Sequence, residues 1–72
     1  MKWQRDHHDM TFELLDDAGH LAATVEQTSR RDPKTHELIW GWGVWDRSGQ
    51  EVALAPNFEE ATNRAEEMVR GT

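Results

Sequence analysis

The sequence predicts an α+β domain: an antiparallel β-meander of four strands, or of three, with one C-terminal α-helix packed on one face of the sheet. Three observations predict it. Apolar residues alternate with period two over residues 20–28, and the stretch Leu38-Ile39-Trp40-Gly41-Trp42-Gly43-Val44-Trp45 follows the same extended pattern. Asp-rich, glycine-containing tetrapeptides, Asp16-Asp17-Ala18-Gly19 and Asp46-Arg47-Ser48-Gly49, separate the extended runs. From Phe58 onward the period changes to that of a helix, with Phe58, Ala61, Ala65, Met68 and Val69 on one side.

Residues 1–72 form a single domain, with the sheet over 11–55 and the helix over 57–71. The first ten residues are polar and read as a flexible end or an extra edge strand. Thr11–Asp16 is short and apolar enough for a strand, and His20–Thr28 completes a hairpin with it. Residues 29–36 hold a proline and several charges and read as an exposed loop. The tryptophan-rich strand follows, then Gln50–Ala55 as a short strand that Pro56 stops, because proline lacks the ladder N–H. Asn57 is placed as helix N-cap with Glu60 three residues on. Glu60 to Arg64 and Glu66 to Arg70 have the favourable i, i+4 spacing, and Gly71 marks the stop.

Three of the four tryptophans stand beside two glycines in residues 40–45. Successive side chains of a strand point to opposite faces. Leu38, Trp40, Trp42 and Val44 are uniformly large, so they are expected to meet the helix at Phe58, Ala65 and Met68. The other set is Ile39, Gly41, Gly43 and Trp45, expected to be flanked by Leu15, Ala22, Thr24 and Ala53. A solvent-facing sheet surface is normally polar, and glycine inside a strand often marks close approach by another backbone. Ile39, Gly41, Gly43, Trp45, Leu15 and Thr24 are therefore the expected partner-binding surface. Trp3 and the N-terminal segment folding over that face is the competing arrangement.

Residues 40–49 together with Ala55-Pro56-Asn57-Phe58-Glu59-Glu60-Ala61 resemble small phage- and prophage-encoded proteins. These share a W-x-W-x-V-x-D-x-x-G hairpin and an E-E-A helix start. The resemblance spans roughly the C-terminal half of the chain and implies a fold with no attached activity. Where Gly41, Gly43 and Trp45 stand, that pattern usually has charged residues. The layout is also similar to the three-strand-plus-helix DNA-binding domains of integrases and AP2-type regulators, which read DNA with a basic sheet face.

Composition bounds what the chain can do. Seventy-two residues, 36% of them apolar and with no cysteine, leave a small core and no disulfide to supplement it. Fourteen acidic against eight basic residues give a net charge of −6, which opposes non-specific binding to a phosphate backbone. Arg30, Arg31 and Lys34 make the one locally basic segment, the means by which a nucleic-acid-binding domain would act. No apolar run fits a signal peptide or membrane span, so the expected location is the cytoplasm, that of a host bacterium if the resemblance holds. His7 and His8 beside Asp6 and Asp9, with His20 and His36, lack the spacing of a metal site. Ser29 and Ser48 occupy turn contexts, and no phosphate-binding or dinucleotide motif is present. No catalytic residue, metal or cofactor is expected.

Glu59, Glu60, Glu66 and Glu67 form an acidic helix surface, read either as a phosphate mimic or as a solvated face paired with arginines. The resulting expectation is a small non-enzymatic phage or prophage accessory protein that binds and inhibits a host protein, in the manner of an anti-CRISPR. A homodimer packed around Ile39 and Trp45 is the alternative from a structural class.

Overall fold

The computed structural model describes residues 1–6 and 11–71. Five antiparallel strands lie in sequence order: β1 (Lys2–Asp6), β2 (Thr11–Leu15), β3 (Leu21–Arg31), β4 (Leu38–Asp46) and β5 (Glu51–Ala55). Helix α1 (Phe58–Arg70) follows and covers one face of the sheet. The fold is α+β with a C-terminal helix, and its strand count is five where four or three were expected. The added strand is the polar N-terminal one, which pairs along β2 from Lys2↔Leu15 to Asp6↔Thr11. Composition leaves it open between a flexible end and an edge strand: Lys2, Gln4 and Arg5 carry no apolar alternation, and Trp3 is its sole large apolar side chain.

The core is small and aliphatic in its centre. Leu14, Val25 and Val44 are the largest fully buried side chains, closed by Ala23, Ala55, Ala61 and Ala65. Alanines on the helix let it approach the sheet closely, leaving room at the periphery for bigger groups. Phe12, Trp42 and Phe58 fill that room as an aromatic cluster, with ring centroids 4.6 Å (Phe12–Phe58) and 5.0 Å (Trp42–Phe58) apart. Arg5 lies over the Phe12 ring at 5.9 Å. On the N-terminal side, Trp3 joins the helix-facing surface, opposite Leu14, and its Nε1–H donates to Glu66 Oε1 at 3.0 Å. Trp3 thus belongs under the helix and does not cover the other face.

Asn57 caps the helix as the sequence implies: its Oδ1 accepts from Glu60 N–H at 2.9 Å. Arg70 pairs with Glu66 at 3.4 Å. Gly71 keeps a helical φ of −75° and donates its N–H to the Glu67 carbonyl, so it is not a left-handed cap.

Turns repeat one device. Asp16 Oδ1 accepts from the N–H groups of Ala18 and His20, and Asp46 Oδ1 accepts from Ser48 and Gln50. Gly19 and Gly49 supply the positive φ, 84° and 87°, that each turn needs. The β3–β4 turn uses Asp32 in the same way, and there His36 takes the left-handed position with φ 61°.

Two expectations do not hold. Ser29, Arg30 and Arg31 are ladder residues of β3 opposite Trp40, Ile39 and Leu38, so the loop is only 32–37. Polar side chains suit a strand whose faces are open to water, and the apolar run Leu38–Trp40 supplies the strand propensity. Ala22 and Ala53 also leave the face assigned to them. Register shifts at Leu14/Leu15 and at Val44/Trp45 change which side they occupy. Ala53 stands opposite Val44 beside the core, and Ala22 is buried.

Candidate partner-binding surface

β3 and β4 are longer than their neighbours. β2 pairs with β3 only as far as Thr11↔Glu26, and β5 pairs with β4 only from Trp42 to Trp45. Beyond those points Gln27–Arg31 and Leu38–Gly41 continue as a two-stranded arm. The first helical residue, Phe58, packs its ring at a tilt against Trp42, so α1 begins too late to shelter residues two and four positions further out. Trp40 is 61% exposed and Leu38 50% exposed, against the expectation that both would lie in the core. Alternation places them on the helix side correctly; the length of the helix leaves them uncovered.

On the opposite face the expected surface residues are brought together by register. Trp45 stands opposite Thr24, Gly43 opposite Glu26, Gly41 opposite Thr28 and Ile39 opposite Arg30. Leu15 comes from β2, beyond the register shift. Of these, Ile39 is 45% exposed, while Trp45, Leu15 and Thr24 are half-buried and both glycines are buried. The glycines are explained by their own chain. A Cβ at Gly43 would overlap the Trp45 indole, and one at Gly41 would lie 2.9 Å from the Ala55 carbonyl oxygen and 3.1 Å from a Leu54 methyl. Arg30 pairs with Glu51, tying the arm to β5. The apolar surface available to another molecule therefore shifts outward, from the glycines to Leu38, Ile39 and Trp40.

The acidic helix is not uniform. Glu59 and Glu67 are exposed, but Glu66 is half-buried and holds both Trp3 and Arg70. Nothing in local sequence pairs Glu66 with a residue 63 positions earlier.

An open groove of about 590 Å³ runs between the end of the helix and two turns. Ala22, Met68 and Val69 form its apolar side, and Asp16, Asp46, Arg47 and Ser48 its polar side. Backbone N–H donation from His20 holds the Asp16 carboxyl below its usual range, and the Ser48 hydroxyl does the same for Asp46, aided by Gln50 N–H. Arg47 reaches Asp16 at 3.5 Å. These carboxylates are anionic and committed to the turns, so neither is poised to exchange a proton near neutral pH. Sequence identified both turns but not that pairing of β3 with β4 brings them side by side.

Of the metal candidates, His7, His8 and Asp9 lie outside the described residues. His20 and His36 sit in different turns, and among the described residues no three His, Asp or Glu side chains converge as ligands. No described helix is long and apolar enough to cross a membrane. Of the basic arm residues, Arg30 is engaged with Glu51 and Arg31 donates to the His36 carbonyl at 2.8 Å.

The class defined by this fold is a five-stranded antiparallel meander with one covering helix. Comparison with protein-family models, curated proteins and solved structures gave no match.

Proposed function

We propose that this protein is a non-enzymatic binding domain whose partner is another protein, engaged through the β3–β4 arm. The observation that carries this reading is the run Leu38, Ile39 and Trp40, three large apolar side chains in succession, all exposed on an arm outside the helix-covered body. Leu38 and Trp40 share the helix-side face of the arm and Ile39 stands on the other; large exposed apolar side chains grouped in this way mark interaction sites, where tryptophan is among the residue types most often dominant. Engagement of Arg30 by Glu51 of β5 and of Arg31 by the His36 carbonyl, and the net charge of −6, favour a protein over a nucleic acid.

The concrete form of the reading is a phage or prophage accessory protein acting in the cytoplasm of a host bacterium. There it binds and inhibits a host protein, as an anti-CRISPR does. Support for that origin comes from the Trp40–Gly49 and Ala55–Ala61 resemblance alone. The test is affinity capture from bacterial lysate with wild type and with Trp40→Ala, both checked for folding by circular dichroism. A partner held by wild type and lost by Trp40→Ala supports the arm as the docking element. Equal recovery by both would remove it.

A further inference from the structure

We propose that the arm recognises a second copy of this chain, joining the two sheets edge to edge through antiparallel pairing of Leu38–Trp40 about Ile39. This rests on the reading of the arm as a docking element and adds a second copy of the chain to what it engages.

Along an antiparallel strand, successive residues direct their N–H and C=O groups to alternate neighbours. Asp46 N–H donates to the Gln50 carbonyl, so the even-numbered residues of β4 address the β5 side. Asp32 N–H donates to the Glu37 carbonyl, so the odd-numbered positions address β3. Leu38 and Trp40 are even, and they lie past the end of β5, whose last pair is Trp42↔Ala55. Pro56 follows Ala55 and has no N–H with which to extend the ladder. Among the described residues, no strand pairs with the N–H and C=O groups of Leu38 and Trp40 on that side.

Those four groups are self-complementary in one register. Place a second copy antiparallel with Ile39 opposite Ile39. Leu38 of each copy then faces Trp40 of the other as a hydrogen-bonded pair, and all eight groups of the two copies are satisfied. Shifting by two residues one way pairs Leu38 with Trp42, which β5 already occupies. Shifting the other way pairs Trp40 with His36, which lies in the turn. Ile39 occupies the non-hydrogen-bonded centre, where facing side chains come closest. The same geometry sets Leu38 and Trp40 of both copies on one face, removing from water the most exposed apolar groups of the arm.

Two further observations favour a second copy. Sheet edges are normally guarded by charge, proline or irregularity. β1 carries Lys2 and Arg5, and β5 begins at Glu51, has a register shift and is followed by Pro56. Leu38-Ile39-Trp40 has no such guard. The register also carries the turn with Lys34 toward the start of the other copy's α1, where Glu59 and Glu60 are exposed. The contact is short, under about 1,200 Å², so the dimer is reversible and dissociates on dilution.

Sedimentation equilibrium on the full chain tests this. Wild type should approach twice 8.4 kDa at roughly 200 μM and fall toward 8.4 kDa as it is diluted. Ile39→Lys and Ile39→Glu, each placing like charges at the two-fold, should be monomeric alone, and mixed in equal amounts they should form a heterodimer. Ile39 is outside the core, and circular dichroism confirms that each variant is folded. Hydrogen exchange on wild type gives an independent readout: protection of the Leu38 and Trp40 amides should rise with concentration. A monomeric wild type, charge variants that stay dimeric, or amides whose protection ignores concentration would each overturn the proposal. So would a dimer broken by Trp45→Glu and untouched at Ile39, which would move the contact to the sheet face. In each case the capture experiment with Trp40→Ala still decides whether the arm binds another protein.

Discussion

The Trp45 indole lies over Gly43, two positions back on its own strand, in space that any side chain at 43 would occupy. Large and small residues are adjacent in this strand because the large one folds along it. Gly43→Ala should therefore displace the ring and destabilise the fold by about 1–3 kcal/mol, the usual cost of overpacking. Thermal melts of Gly43→Ala and of Gly43→Ala with Trp45→Ala check this. The second substitution should cost less in the alanine background than alone, since the clash is gone. Independent, additive losses would mean that Trp45 does not depend on Gly43.

Period and turn chemistry made the helix, its Asn57 cap and the two glycine turns legible, since each depends on residues within four positions of one another. What local pattern cannot carry is where one element stops relative to another. Trp40 and Trp42 stand two positions apart on one face of the same strand, yet Phe58 covers only Trp42. Bulges are similarly silent, and a single register shift moved Ala53 to the helix side. Of the expected binding face, Ile39 is exposed, but the space over Gly43 is filled by Trp45 and Gly41 is approached by β5.

Trp42 and Trp40 should therefore respond very differently to truncation. Trp42→Ala removes a ring packed against Phe12 and Phe58 and should cost about 3 kcal/mol. Trp40→Ala should change stability by no more than about 0.5 kcal/mol, as expected for a surface site. Denaturant titration of both variants is decisive. A loss at Trp40 comparable to that at Trp42 would mean that the arm packs against the body.

Glu66 should behave unlike its acidic neighbours. It accepts from Trp3 Nε1–H and pairs with Arg70, fastening β1 to the helix. Trp3→Phe keeps most of the ring and loses the donor, with an expected cost of about 1 kcal/mol. Glu66→Lys should cost more, because it also sets a positive charge beside Arg70. Glu59→Lys and Glu67→Lys should each stay within about 0.5 kcal/mol. Chemical denaturation ranks the four. Equivalence of Glu66 with Glu59 and Glu67 would deny the link between strand and helix.

Acid should act on the sheet through its turns. Asp16 and Asp46 have carboxyls held below the ordinary value of 3.8, the first chiefly by His20 N–H and the second chiefly by the Ser48 hydroxyl. A group whose folded pKa is depressed binds its proton more readily in the unfolded chain. Its contribution to stability is thus fully present above the unfolded value and is lost as pH falls through the folded one. Wild type should begin to lose this contribution as pH drops below 3.8, when the neutral acids accept the turn N–H groups more weakly. Asp46→Asn keeps an acceptor for Ser48 and Gln50 but has no proton to bind there. Its stability deficit against wild type should be largest near neutral pH and should shrink steadily below pH 3.8. Urea midpoints measured for both proteins across that range test the linkage. A deficit that stays constant with pH would show that the Asp46 carboxyl gains nothing from its charge in the turn.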